Sequence, residues 1–320
     1  MLPREEFAHL PTSIDHLPRL SRSLGGPELL IKRDDQTGLA FGGNKTRKLE
    51  YLLGDAISKN ADMVLSTGAA QSNHCRQTAA AAARCGLDCT LVLVGPEPEA
   101  PSANLFLDLL LGAKIVWTDN SSRDLTLERT FLEVKESGAN PYLIPYGGSN
   151  ALGAFAYYQA YQELLDQLNG ELPDWIVFAS SSGGTQAGLF LASQVFKGPR
   201  VLGISVDEPE MQLRDTVASI SGDLAGLLGL ESVINPEEIH VDANYTGEGY
   251  GIMNDVDREA IRLFAETEGI LLDPVYTGRA AGGLVDLIHK GFFEKDQKVL
   301  FWHTGGTPGL FADRYIKEMS

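Results

Sequence analysis

From residue 62 onward, short apolar runs alternate with longer stretches at helical spacing. Met63-Val64-Leu65-Ser66, Cys89-Thr90-Leu91-Val92-Leu93-Val94 and Lys114-Ile115-Val116-Trp117 are continuous enough to be strands buried on both faces, and Tyr142-Leu143-Ile144-Pro145 reads as a fourth. An alanine-rich helix near 74–85 and a helix near 102–111 separate them. A long helix near 150–168 leads into a second series, with strands at Trp175-Ile176-Val177-Phe178-Ala179, Val201-Leu202-Gly203-Ile204-Ser205-Val206 and Lys298-Val299-Leu300-Phe301-Trp302. Its helices fall near 184–196, 255–268 and 279–290. This alternation predicts an α/β protein of two doubly wound lobes with mainly parallel open sheets, and the linear order puts their boundary near 155.

Ligands of such sheets bind beyond the carboxyl ends of the strands, and several polar loops fall there. The strand ending at Ala179 runs through Ser180-Ser181-Ser182-Gly183-Gly184-Thr185 into a helix, an arrangement that surrounds an anion with backbone N–H groups and hydroxyls. It matches neither the nucleoside-triphosphate loop, since no lysine follows, nor the dinucleotide fingerprint. After the strand at 63–66 come Gln71-Ser72-Asn73-His74-Cys75, where Ser72 or Asn73 suits a helix cap and the amides suit a carboxylate. Asp273-Pro274-Val275-Tyr276-Thr277-Gly278 and His303-Thr304-Gly305-Gly306-Thr307-Pro308 bring hydroxyls to strand ends, and Gly247-Glu248-Gly249-Tyr250-Gly251 is a flexible loop carrying an aromatic.

Upstream, Gly42-Gly43-Asn44-Lys45-Thr46-Arg47-Lys48 precedes Leu49, Leu52, Leu53, Ala56 and Ile57 at helical spacing. Asn44 is the expected cap, which puts Lys45 in the first turn. There the helix dipole opposes an ammonium and burial depresses its pKa further, so the neutral amine becomes available to a carbonyl. Lys48, one turn on, is expected to stay charged and help hold a phosphate.

Composition narrows the function. With 320 residues, 43% hydrophobic and 22% charged, the chain has material for a substantial core. A net charge of −17 argues against nucleic acid, whose phosphates would be repelled. The start of the chain lacks the apolar core of a secretion signal, and no apolar run approaches the roughly 18 residues of a membrane span, so a cytoplasmic protein is expected. Cys75, Cys85 and Cys89 match neither a redox pair nor a metal site, and no metal is expected.

Taken in order, Lys32-Arg33-Asp34-Asp35, Gly42-Gly43-Asn44-Lys45 with Arg47-Lys48-Leu49-Glu50, Gln71-Ser72-Asn73, Ser182-Gly183-Gly184-Thr185-Gln186-Ala187-Gly188, Asp273-Pro274-Val275-Tyr276 and His303-Thr304-Gly305-Gly306-Thr307-Pro308 resemble the D-cysteine desulfhydrase and 1-aminocyclopropane-1-carboxylate deaminase family over essentially the whole chain. The resemblance implies a pyridoxal 5'-phosphate enzyme of the tryptophan-synthase-β-like fold (fold type II), usually a homodimer. It implies a large cofactor-binding domain of residues 1–48 and 157–320, interrupted by a small domain of 49–156. Lys45 would bond the cofactor's aldehyde, Asn73 its ring hydroxyl, and Ser182, Gly183, Gly184, Thr185 and Lys48 its phosphate. Ser72 would act near the substrate, with Gln71, Asn73 and His74 around it and Tyr250 and Tyr276 on the opposite wall.

One position divides the family. Deaminases carry Tyr-Glu where this chain has Tyr276-Thr277. An acid there keeps the pyridine nitrogen protonated, whereas Thr277 or Thr304 offers it only a neutral hydrogen bond. The weaker electron sink favours prompt β-elimination over ring opening. The expected reaction is therefore D-cysteine to pyruvate, sulfide and ammonia, with Lys45 as base for the α-proton. A sulfo-lyase acting on L-cysteate and the deaminase remain alternatives, as does a non-catalytic phosphate or nucleotide-binding module.

Overall fold

The structure is a computed structural model that describes residues 2–231 and 234–319. Its strands form two sheets. The six-stranded sheet has the order β1 (Ile14–His16), β2 (Glu28–Lys32), β10 (Lys298–Trp302), β7 (Trp175–Ser180), β8 (Arg200–Ser205), β9 (His240–Asp242), parallel except for the edge strand β1. The four-stranded sheet is wholly parallel, in the order β5 (Lys114–Thr118), β4 (Asp88–Val94), β3 (Met63–Ala69), β6 (Pro141–Leu143). The helices are α1 (Pro18–Leu24), α2 (Asn44–Ser58), α3 (Asn73–Cys85), α4 (Ala103–Leu110), α5 (Arg123–Glu136), α6 (Ala151–Leu168), α7 (Gly184–Phe196), α8 (Glu210–Leu227), α9 (Asp255–Glu268), α10 (Thr277–His289) and α11 (Asp313–Met319).

The apolar strands are buried on both faces, as continuous hydrophobic runs require. Along β10, Val299 and Phe301 join a core with Leu20 of α1, Phe264 of α9 and Leu284 of α10. The intervening Leu300 and Trp302 face Tyr157 of α6, Leu189 of α7 and Val217 of α8. The smaller sheet has its own core, in which Val64, Leu91 and Leu93 meet Leu49, Leu52 and Leu53 of α2 and Ala79, Ala81 and Ala82 of α3. Alanine there keeps α3 close to the sheet.

The large sheet draws β1 and β2 from the first 32 residues and β7 to β10 from residue 175 onward, while the small sheet takes every strand between. Linear alternation alone does not reveal that return. It also leaves β1, β2 and β9 unread, together with helices α1, α5, α8 and α11. Helix α5 buries only Thr126 and Thr130, so it shows no apolar stripe to find. Among the described residues, no helix is long and apolar enough to cross a membrane.

Candidate active site

The carboxyl ends of β3, β7 and β10 and the start of α2 line one cavity. Helix α2 begins at Asn44 behind Gly43, whose φ of 125° suits only glycine, and no side chain caps it. Asn44 is therefore not the cap that its sequence position predicts. Its backbone N–H donates to the Thr304 carbonyl at 2.9 Å and its Nδ2 to Thr185 Oγ1 at 3.1 Å, so it ties the lysine turn to both neighbouring loops. Gln77 serves the first turn instead, its Oε1 accepting from Thr46 N at 2.8 Å and Thr46 Oγ1 at 2.9 Å.

Lys45 lies in that turn and lines the cavity. Burial pushes its ammonium down to about 8, partly opposed by a hydrogen bond with Lys48. Lys48 is fully enclosed and donates from Nζ to the Gly147 carbonyl (3.2 Å) and Ser149 Oγ (3.3 Å). Burial and then the neighbouring Lys45 push it well below the usual lysine range. Two amines this close cannot both hold a proton cheaply, and an anion beside Lys48 restores its charge.

The predicted cup is present. Ala179 through Gly183 and Thr185 all line the cavity, and α7 starts at Gly184 behind Gly183, which has φ 77° and supplies no capping side chain. Gly183 itself therefore brings no capping side chain to the first amides of α7, as suits an anion site at a helix N-terminus. Ser182 Oγ lies 2.8 Å from Ser149 Oγ, and Ser149 Oγ accepts from Gly184 N at 3.3 Å. Ser180 Oγ is buried and has no hydrogen-bond partner among the described residues. Ser149, Tyr146 and Gly147 come from a segment the sequence did not single out. Its signal is Tyr146-Gly147-Gly148-Ser149-Asn150, a small-residue turn between a strand and a helix that Asn150 caps.

On the β3 side, Ser72 caps α3, accepting from Cys75 N at 3.2 Å, and Ser72, Asn73 and His74 line the cavity. The tautomer of His74 follows from its partner. Ser66 Oγ donates to the Ile144 carbonyl (2.9 Å), so it accepts from His74 Nε2 at 2.8 Å, leaving Nδ1 bare and without a partner among the described residues. Burial, then Lys45 and Lys48, hold this ring well below the usual histidine range, hence neutral. Cys75 is fully buried, with its thiol pushed well up by desolvation, and is inert packing. Gln71 is not on the wall. Its Oε1 accepts from Asn104 N and its Nε2 donates to the Ser102 carbonyl, so it pins the start of α4.

Tyr276 is on the wall, and Tyr250 stands behind it. Thr277 is turned away: its hydroxyl donates to Asp273 Oδ1 at 2.8 Å and accepts from Asp273 N at 2.8 Å, and it is fully buried. Thr304 is the threonine of that pair which reaches the cavity. Its loop passes so close to α2 that a Cβ on Gly305 (φ 91°) would lie 2.6 Å from Gly43 Cα.

A phosphate-tailed pyridine aldehyde fits this donor set. It needs an amine of lowered pKa, a helix N-terminus whose N-cap glycine brings no side chain, hydroxyls beside it, and polar groups at the ring edge, all lining one cavity. The fold and the site together define a pyridoxal-phosphate enzyme of fold type II. The chain belongs to that family, described as pyridoxal-phosphate dependent enzyme, whose model matches residues 6–305. The D-cysteine desulfhydrases of Salmonella typhimurium and Salmonella typhi are each 41% identical to it over 318 residues, covering 97% of this chain and 96% of theirs. A crystal structure of an ACC deaminase homologue aligns with a TM-score of 0.90 at 40% identity, covering 99% of this chain and 95% of that one. Membership of an enzyme family sets aside the non-catalytic alternative.

Proposed function

We propose that this enzyme carries out α,β-elimination on D-cysteine, releasing sulfide, with pyruvate and ammonia formed as the remainder hydrolyses. The observation that carries the reading is the cavity's charge. Lys45 is the only cationic side chain among the described residues lining it, and no arginine is present to hold a sulfonate. That favours a thiol over a sulfonate leaving group, in line with relatives named D-cysteine desulfhydrase. The deaminase reading draws on the solved homologue, but no acid lines the cavity where the ring edge would lie.

When bound, the cofactor supplies an aldehyde for the substrate amine and an electron sink for the α-carbon. The protein does the rest. Lys45, whose ammonium burial pushes down to about 8, would serve as the base for the α-proton. Ser182 to Thr185 and Lys48 would hold the phosphate, Asn73 would meet the ring hydroxyl, and Thr304 would offer the ring nitrogen a neutral partner. Ser72, at the N-terminus of α3, orients the substrate carboxylate. Tyr276, backed by Tyr250, closes the far side.

Residues 1–48 and 157–320 then form the cofactor-binding domain and 49–156 the small one, in a cytoplasmic homodimer. Exposed Phe106, Leu109 and Leu110 on α4, with Phe311 on the turn packed against it, offer apolar surface for a second copy, and light scattering tests the assembly. The reaction is tested by incubating the protein separately with D-cysteine, L-cysteate and 1-aminocyclopropane-1-carboxylate and assaying sulfide, sulfite and 2-oxobutyrate. Sulfide from D-cysteine is expected. Sulfite from cysteate with no sulfide would overturn the assignment.

A further inference from the structure

Asn73 can donate to a ring oxygen only if the NH2 end of its amide faces the cavity, and residues outside the cavity decide that orientation. Arg76, one turn further along α3 and fully buried, donates from Nη1 to Asn73 Oδ1 (3.2 Å) and Asn104 Oδ1 (2.7 Å), and from Nη2 to the Gly42 carbonyl (2.9 Å). A guanidinium accepts nothing, so both amide atoms that meet it are oxygens. With its oxygen so placed, Asn104 directs Nδ2 to Asn73 Oδ1 at 3.0 Å and to the Gln71 carbonyl at 2.9 Å, while its backbone N–H bonds Gln71 Oε1 at 3.0 Å. Asn104 is itself fully buried. The Asn73 oxygen thus has two donors, and its Nδ2 donates to no protein group among the described residues. That Nδ2 lies against Gly306, where a Cβ would come within 2.9 Å.

We propose that Asn104 is a positioning residue which, with Arg76, occupies the Asn73 carbonyl and locks that amide with its NH2 toward the cofactor ring. Asn104 sits on α4 and makes no contact with the cavity, so it acts through Asn73. Arg76 also reaches the Gly42 carbonyl, three residues before Lys45, so one cation registers the ring-binding helix against the lysine turn. The inference rests on the Asn73 role proposed above.

The test uses the cofactor-loaded protein and reads two quantities besides turnover: the pH midpoint of the visible cofactor band, and the cofactor dissociation constant. A donor to the ring oxygen stabilises its negative charge, so losing the donor makes the site hold its neighbouring proton more tightly and moves the midpoint upward. Asn73→Ala should raise it by about one pH unit, the worth of one charge-assisted hydrogen bond. Asn104→Asp sets an acceptor against the Asn73 oxygen and should raise the midpoint in the same sense, with roughly tenfold weaker cofactor binding. Asn104→Ala buries no charge and keeps the test available should the aspartate variant not fold; it should shift the midpoint less. Adding Asn104→Ala to Asn73→Ala should produce no further shift. Wild-type midpoints in both Asn104 variants alongside a shifted Asn73→Ala, or additive shifts in the double variant, overturn the positioning role and leave Asn73 standing. An unshifted Asn73→Ala overturns the underlying assignment and this inference with it.

Discussion

The hydroxyl of Tyr250 lies 2.7 Å from that of Tyr276, with the rings edge to face and their centroids 5.9 Å apart. Burial pushes both phenols well above their ordinary values, and each is raised further by a neighbouring phenol, Tyr146 beside Tyr250 and Tyr250 beside Tyr276. Both therefore stay protonated through neutral pH. Of the two, only Tyr276 lines the cavity among the described residues, so Tyr276→Phe should lower kcat by about 10²- to 10⁴-fold, the range for a lost general acid or base, with the cofactor band intact. Tyr250→Phe acts through its neighbour and should cost about tenfold. Steady-state kinetics on the two variants decide the order. A Tyr250→Phe loss equal to that of Tyr276→Phe would put both phenols in contact with substrate.

Lys45 makes a pH prediction with a definite sign. Only the neutral amine attacks an aldehyde, and its folded pKa is about 8. In protein stripped of cofactor, the rate of reattachment should rise about tenfold per pH unit below 8 and level off above it. Stopped-flow absorbance after mixing with pyridoxal phosphate measures this. Lys45→Ala should give no borohydride-sensitive band, and a band surviving in that variant would move the covalent bond to another residue.

Lys48 illustrates a site that costs stability to keep. Its folded pKa lies well below the ordinary lysine value of 10.5 because of burial and Lys45. The folded chain therefore gives up this proton at a lower pH than the unfolded one, and stability rises with pH from the folded value toward 10.5. In the cofactor-free protein at pH 7, Lys48→Met removes that cost and should raise Tm by a few degrees, about 1 kcal/mol or more. The gain should shrink as pH rises. The same variant should lose cofactor readily in equilibrium dialysis. A lower Tm throughout would mean that Lys48 is charged and satisfied by the protein alone.

The lysine turn and the anion cup were legible because their chemistry is local: glycine before a helix, and serines after a strand. The residues that complete them were not. Ser149 meets Ser182 from 33 positions away and Lys48 from 101, so its role appears only once α2, the 146–149 turn and α7 converge. Thr277 reads as a ring partner from its place after Tyr276, but Asp273 takes its hydroxyl and its amide alike, because the start of α10 needs a capping acceptor that Tyr276 cannot supply. Lys32-Arg33-Asp34-Asp35 reads only as a motif, whereas Lys32 ends β2 and Asp34 opens the turn after it. The strand is hidden in five residues that lie between β1, just upstream, and β10, at the other end of the chain.

Arg47 sits between the two site lysines yet faces the opposite way, and its guanidinium fixes how α2 is seated. It forks onto both oxygens of Asp34 (2.9 and 2.8 Å) and both of Glu163 (2.9 Å each), while Lys32 also bonds Glu163 at 2.6 Å and the Tyr157 hydroxyl donates to Asp34 at 2.6 Å. Burial alone would raise both carboxyls, but Arg47 holds Asp34 and Glu163 below their ordinary values. Groups with depressed folded pKa values contribute stability above their unfolded values, near pH 4, and lose it as pH falls through the folded ones. Arg47→Leu leaves the buried Asp34 without its guanidinium and the partly buried Glu163 with Lys32 alone, and should cost about 3–5 kcal/mol. Urea melts at pH 7 measure that loss, and cofactor retention should fall with it because Lys45 and Lys48 ride on the same helix. Replacing Asp34 as well, as Arg47→Leu with Asp34→Leu, should recover part of the loss. A single variant that melts like the wild type would show that the cores on either side of α2 orient it without the ion network.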